Sequence, residues 1–257
     1  MHQNPTRIDA SGTTPTATAL LDVAERLFAR QGIAIVSLRQ IVIAAGQGNL
    51  SAAHYHFGSR EGLIRAVVER RMRTIDAIRH RRLDAIEAAG RADDLQSIIG
   101  AAVETLAEVV RGTPWGPDYV RVLAQALFDA DMRLLETTDP SLRSGIERAR
   151  AMARRLLPTL PQATFDARVA IVHHETAYAF ARWVSAHGPV DDTNRRDYRA
   201  MVRGLVEFMG AGLGAPTRAA ARPDRDTLRR PAQRGHPSGP RASANGSCGF
   251  DARPTAR

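Results

Sequence analysis

Lysine is absent from this 257-residue chain, so all 36 basic side chains are arginines. Together with the abundance of alanine, this reflects a GC-rich coding sequence rather than selected chemistry. Cysteine is nearly absent too. Cys248 stands alone near the end, which excludes a disulfide framework within the chain and fits a reducing, cytoplasmic setting. No run of eighteen apolar residues occurs, so nothing is expected to span a membrane. The first fifteen residues, MHQNPTRIDASGTTP, lack the apolar core of a secretion signal.

Catalytic signatures are missing as well. There is no nucleophile elbow, phosphate loop, dinucleotide fingerprint or Cys-x-x-Cys pair, and the acids are scattered along helix surfaces. The chain is therefore not expected to be an enzyme, and no cofactor or metal is expected. An all-helical enzyme built on the last 150 or so residues is a remaining alternative, and no motif argues for it.

The charge is lopsided. Nine arginines and three aspartates fall between Gly214 and Arg257, which assigns +6 of the formal +9 to that stretch. The high isoelectric point belongs to the tail and does not by itself indicate a nucleic-acid-binding fold. Residues 214–257 are rich in Pro, Gly and Arg and hold too little apolar surface to offset chain entropy, so disorder is expected there.

What the chain does have is helical periodicity, and no convincing alternating strand. Leu20, Val23, Ala24, Leu27 and Phe28 form one stripe, with Thr14 as cap, Pro15 at the first helical position and Gly32 at the end. Ser37 and Gln40 make a capping box before Leu38, Ile41, Val42 and Ala45, and Gly46 supplies a left-handed turn. Ser59 caps a long segment reaching Ile86. Further stripes run from Leu95 to Val110, Tyr119 to Leu127, Leu142 to Leu156, Phe165 to Trp183 and Tyr198 to Met209. The expectation is an all-α protein of about nine helices.

Residues 37–57 have helix–turn–helix proportions. With Asn49 as cap, Leu50, Ala53 and Phe57 fall on an inward stripe, leaving Ser51, His54, Tyr55 and Gly58 outward. Hydroxyls, an imidazole and a phenol on one face suit a DNA major groove, and Ala52 is slim enough for close approach. Arg60, at the start of the next helix, suits a phosphate. His54 and His56 point roughly 200° apart on a helix, which disfavours a shared metal ion. Five arginines against four acids give residues 1–64 a net charge of only +1, so tight binding is expected to need a dimer.

The run ALLDVAERLFARQG, then SLRQIVIAAG, then AHYHFGSREGL, resembles the DNA-binding region of the TetR (tetracycline-repressor) family over roughly residues 17–65. The resemblance implies an N-terminal three-helix helix–turn–helix DNA-binding domain, a larger helical ligand-binding and dimerisation domain, and ligand-relieved repression. It places the recognition helix on Asn49–His56, with His54, Tyr55, His56 and Arg60 at DNA-contacting positions and Ser37 at a phosphate-reaching cap. Gln47, Asn49, Leu50, Ser51 and Ala52 complete the candidate surface. Two departures stand out: one extra residue between Gly46 and Phe57, bulging the turn around Gly48, and Leu50 where a basic residue often opens the helix.

The implied organisation is an arm over 1–14, a DNA-binding domain over 15–64, an effector and dimerisation domain over 65–213, and the tail over 214–257. The expected partners are a palindromic double-stranded operator, a second copy of the chain contacted through the last two helices, and a small-molecule effector. Trp115, Tyr119, Phe128, Met152, His174 and Tyr178 are the candidate ligand-lining residues. His173 and His174 lack any zinc-binding spacing and read first as core or interface histidines. The alternative is an architectural DNA-binding protein that relies on its basic tail.

Overall fold

The computed structural model of the chain describes residues 14–128 and 138–217. The expected N-terminal arm (but for Thr14) and nearly all of the tail therefore lie outside the described residues. Helix α1 (Pro15–Gln31) opens on Thr14, whose hydroxyl accepts from the Ala17 N–H at 3.2 Å. Pro15 fills the first turn, where a missing N–H is harmless. Gly32 closes the helix at φ 98°, its N–H donating to the Phe28 carbonyl at 3.0 Å.

Helix α2 (Leu38–Ala44) carries the full capping box. Ser37 Oγ accepts from the Gln40 N–H, and Gln40 Oε1 accepts from the Ser37 N–H at 2.8 Å. The turn after it is a Schellman motif: Gln47 N–H donates to Val42, Gly46 N–H donates to Ile43, and Gly46 takes φ 69°. Helix α3 (Leu50–Phe57) follows Asn49. The long α4 (Arg60–Ala88) starts at Ser59, whose hydroxyl accepts from Gly62 N–H at 3.0 Å.

Beyond these lie α5 (Leu95–Gly112), α6 (Gly116–Phe128), a 3-10 turn (Pro140–Arg143), α7 (Ser144–Leu156), α8 (Gln162–His187) and α9 (Arg195–Gly214). Among the described residues there are thus nine α-helices and no strand, as the periodicity predicts. Helix α5 is the hub. It packs against α4, α6, α7, α8 and α9, and ten of its eighteen residues are buried. No helix among the described residues is long and apolar enough to cross a membrane.

The first three helices are joined to the rest by α4 and α6. Arg71 on α4 makes a two-pronged ion pair with the buried Glu25 of α1, Nη2 to Oε2 at 2.9 Å and Nε to Oε1 at 3.3 Å. Burial raises the pKa of Glu25 above its ordinary value, and Arg71 opposes that rise. The Arg71 guanidinium also lies 4.6 Å from the Trp115 ring centroid. On α6, Gln125 Oε1 accepts from the Ile33 N–H at 2.7 Å, and its Nε2 donates to Phe28 O at 3.4 Å. The end of α1 is therefore capped by a side chain about ninety residues further along the chain.

Candidate DNA-reading surface and interior cavity

Helix α3 is short, and a single residue, Ala53, is fully buried against α1, α2 and α4. Phe57 is half-buried against the core. Leu50, expected on the inward stripe, is 39% exposed. At the first helical position it precedes the turn that reaches the core, so only Ala53 and Phe57 hold that stripe. Tyr55 is 85% exposed, and Ser51 and His54 are exposed beside it.

The remaining candidates are more committed to the fold. Asn49 Oδ1 accepts from Ser51 N–H at 2.8 Å, and Ser37 is engaged in its capping box. His54 Nδ1 lies 3.1 Å from Gly58 O, and the half-buried His56 reaches Thr14 Oγ1 at 3.4 Å. Gln47 is half-buried, its amide 3.4 Å from Ala45 O, and Ala52 is half-buried too. Gly48 lies in open space, so the extra residue of the turn is accommodated without crowding.

Arg60 turns back into the protein. Its Nε donates to Val36 O at 3.1 Å and its Nη2 donates to Ile33 O, tying the α1–α2 loop to the start of α4. Arg39, exposed on α2, is a cation near this surface that sequence reasoning passed over. Its signal lay in the outward position two residues after the Ser37 cap. Geometry at the far end of α3 is set by glycine. A Cβ at Gly62 would sit 2.0 Å from Phe57 O, so only glycine lets α4 start this close to the end of α3.

Behind this surface, α4, α5, α6, α7 and α8 enclose a cavity of about 70 Å³. Met72, Leu106, Leu123 and Leu142 are among its apolar walls, and Arg79, Tyr119, Thr138 and His173 supply its polar ones. Burial raises the pKa of the Tyr119 phenol and lowers that of His173 to about 4, with the nearby Arg79 charge adding to the latter. The lowered pKa favours a neutral imidazole at pH 7, and His173 is among the residues that line the cavity.

The six ligand candidates do not converge. Tyr119 lines the cavity, Trp115 packs edge-on behind it with centroids 5.7 Å apart, and Met152 is buried in the core. Phe128, His174 and Tyr178 instead form an aromatic cluster toward the outside, beside an open groove of about 870 Å³ between α1, α6 and α8. The neighbour His173, not His174, faces the interior, and Arg79 was missed because an arginine in a long helix ordinarily reads as solvated. No group of three or more metal-ligating side chains occurs among the described residues.

A reading helix presented on a capped turn, backed by a helical body with a mostly apolar cavity, defines a helix–turn–helix regulator. Residues 20–67 match the family of bacterial regulatory proteins, tetR family, and residues 100–212 match the tetracyclin repressor-like C-terminal domain. The two matches together span more than half of the chain, which belongs to the TetR family and is a DNA-binding transcription regulator.

Solved structures with similar folds include a TetR-like transcriptional regulator from Rhodococcus sp. RHA1, at 16% identity and TM-score 0.46, covering 82% of this chain and 100% of that one. A protein assigned to the tetR family from Shewanella sp. PV-4 has 17% identity and TM-score 0.49, covering 76% and 95%. RolR, solved with its ligand resorcinol, has 18% identity and TM-score 0.41, covering 79% and 95%. No curated protein is matched.

Proposed function

We propose that the protein is a homodimeric, ligand-relieved repressor of the bacterial cytoplasm, a switch rather than a catalyst. The observation that carries this reading is the pairing of an outward-facing α3, with Tyr55 85% exposed, and a cavity bounded by the same α4 that α3 leads into. Residues 15–64 act as the reading domain and 65–213 as the sensing and dimerising domain. Tyr55, His54 and Ser51 touch base edges. Ser37, Gln47, Asn49, Leu50, Ala52 and His56 line the approach, while Arg60 braces the helix.

Dimerisation is assigned to α8 and α9. Ala200, Gly204, Phe208 and Ala211 recur on one exposed face of α9, and Ile171 and Tyr178 are exposed on α8. The small Ala200, Gly204 and Ala211 allow close helix approach around the apolar Phe208, and two such pairs make a four-helix contact about a two-fold axis. The reading helices then meet a palindromic site in successive major grooves. A ligand that binds the cavity better when the two heads are wrongly spaced releases the DNA.

Selection of bound fragments from random DNA, followed by footprinting, tests the reading. A two-fold symmetric site is expected, lost on Tyr55→Ala while the dimer persists in light scattering. Sequence-independent binding, or a site unaffected by Tyr55→Ala, would falsify the proposal.

A further inference from the structure

Arg79, Tyr119, Thr138 and His173 are the polar residues of the interior cavity's wall. The Tyr119 side chain is 1% exposed, and its hydroxyl makes no hydrogen bond to any described residue. His173 likewise makes none. Arg79, also buried, makes one hydrogen bond, from Nη1 to Asp76 Oδ1 at 3.3 Å, although a guanidinium carries five donors.

Asp76 is engaged elsewhere. Its carboxylate accepts from Gly145 N–H at 3.0 and 3.2 Å and from Ser144 Oγ at 2.7 Å, capping the N-terminus of α7 from across the interface. His80 lies 3.4 Å from its other side. A Cβ at Gly145 would meet Asp76 Oδ1 at 2.9 Å and Arg79 at 3.4 Å, so glycine is what admits the helix to this position. Asp76 does not line the cavity, whereas Arg79 does. The acid thus holds a helix end while pairing with Arg79, and the cation is the member of that pair that lines the space.

We infer that the effector is a compact carboxylate whose anionic head seats on Arg79 and Tyr119, with a small apolar body against Met72, Leu106, Leu123 and Leu142. This rests on the ligand-responsive reading given above. A buried guanidinium with open donors matches the planar geometry of a carboxylate, and a phenol donates to the same oxygens. A neutral isostere would leave the guanidinium with only the 3.3 Å contact to Asp76 as a charged acceptor. The small volume suits a compact body and gives the ligand leverage, because even a compact acid must press α4, α6 and α7 apart.

The test titrates the full chain at pH 7.5 with butyrate, 3-methylbutanoate and benzoate, each beside its matched amide, by calorimetry and thermal shift. At least one acid is expected to bind with its amide weaker by on the order of tenfold or more. Arg79→Gln should remove that discrimination. Tyr119→Phe should weaken the acid and keep the preference. Should Arg79→Gln fail to fold, Arg79→Lys keeps the charge, loses the planar fork and should retain a reduced preference. Equal binding of acid and amide, no effect at Arg79, or silence from the whole panel would overturn the inference.

Gel shift on the selected operator separates the two claims. An acid that binds through Arg79 without releasing DNA sinks ligand-relieved repression and leaves the carboxylate site standing. Release by neutral compounds alone does the reverse.

Discussion

Helix α3 and helix α5 are held in place by different means. Helix α3 sinks one side chain, Ala53, and depends on Asn49, the glycines at 46, 58 and 62, and the Arg60 brace for its position. Helix α5, capped by Asp94 at its N-terminus, buries ten residues against five neighbours. The contrast shows a division of labour. The surface proposed to meet DNA keeps its side chains out of the core and is fixed through backbone chemistry, whereas the body proposed to sense a ligand keeps polar groups inside.

The comparison can be broken from either end. The largest effect is expected for Arg71→Ala, which leaves Glu25 buried and unpaired between the two regions. Urea unfolding followed by circular dichroism should lose about 3 kcal/mol. Gly62→Ala should cost about 2 kcal/mol, because its Cβ meets the Phe57 carbonyl. Hydrogen exchange should quicken in α3 and stay slow in α5, and uniform quickening would dissolve the distinction.

A third test uses pH. The folded-state pKa of His173 is lowered from 6.5 to about 4, so the unfolded chain binds the extra proton first as acid is added. Its contribution is present above pH 6.5 and disappears as pH falls toward 4. His173→Leu should flatten the stability profile across that window by about 1–2 kcal/mol. An unchanged slope would place the imidazole in water. The smallest effect on the fold belongs to Tyr55→Ala, at under about 0.5 kcal/mol, despite its expected loss of operator binding.

Much of the reading region was legible because its chemistry is local. Thr14, Ser37, Asn49 and Ser59 are caps whose partners lie within three residues, and Gly46 and Gly58 answer a demand of the backbone itself. The helix spans followed from periodicity for the same reason. Roles set by distant partners were not legible. Arg60 looked like an open phosphate ligand because Ile33 and Val36, 27 and 24 residues away, were not seen to point their carbonyls at it. Helical phase could not decide between His173 and His174 without knowing where α4 lies, and the Asp76–Gly145 cap crosses 69 residues. Leu50 was misplaced because a stripe begins to bury only where neighbouring helices reach it.

Gln125 gives the fold a second route between its two ends. Helix α6 brings Tyr119 and Leu123 to the cavity wall, and two residues further on Gln125 holds the end of α1 and the Ile33 N–H just beyond it through two hydrogen bonds. Movement of α6 is therefore felt at α1 without passing along the length of α4. Because linkage runs both ways, DNA that fixes the orientation of α1 must alter the cavity's affinity by the same factor with which a ligand alters the affinity for DNA. On the proposed function, an operator-bound dimer and a free one would be two different receptors for the effector.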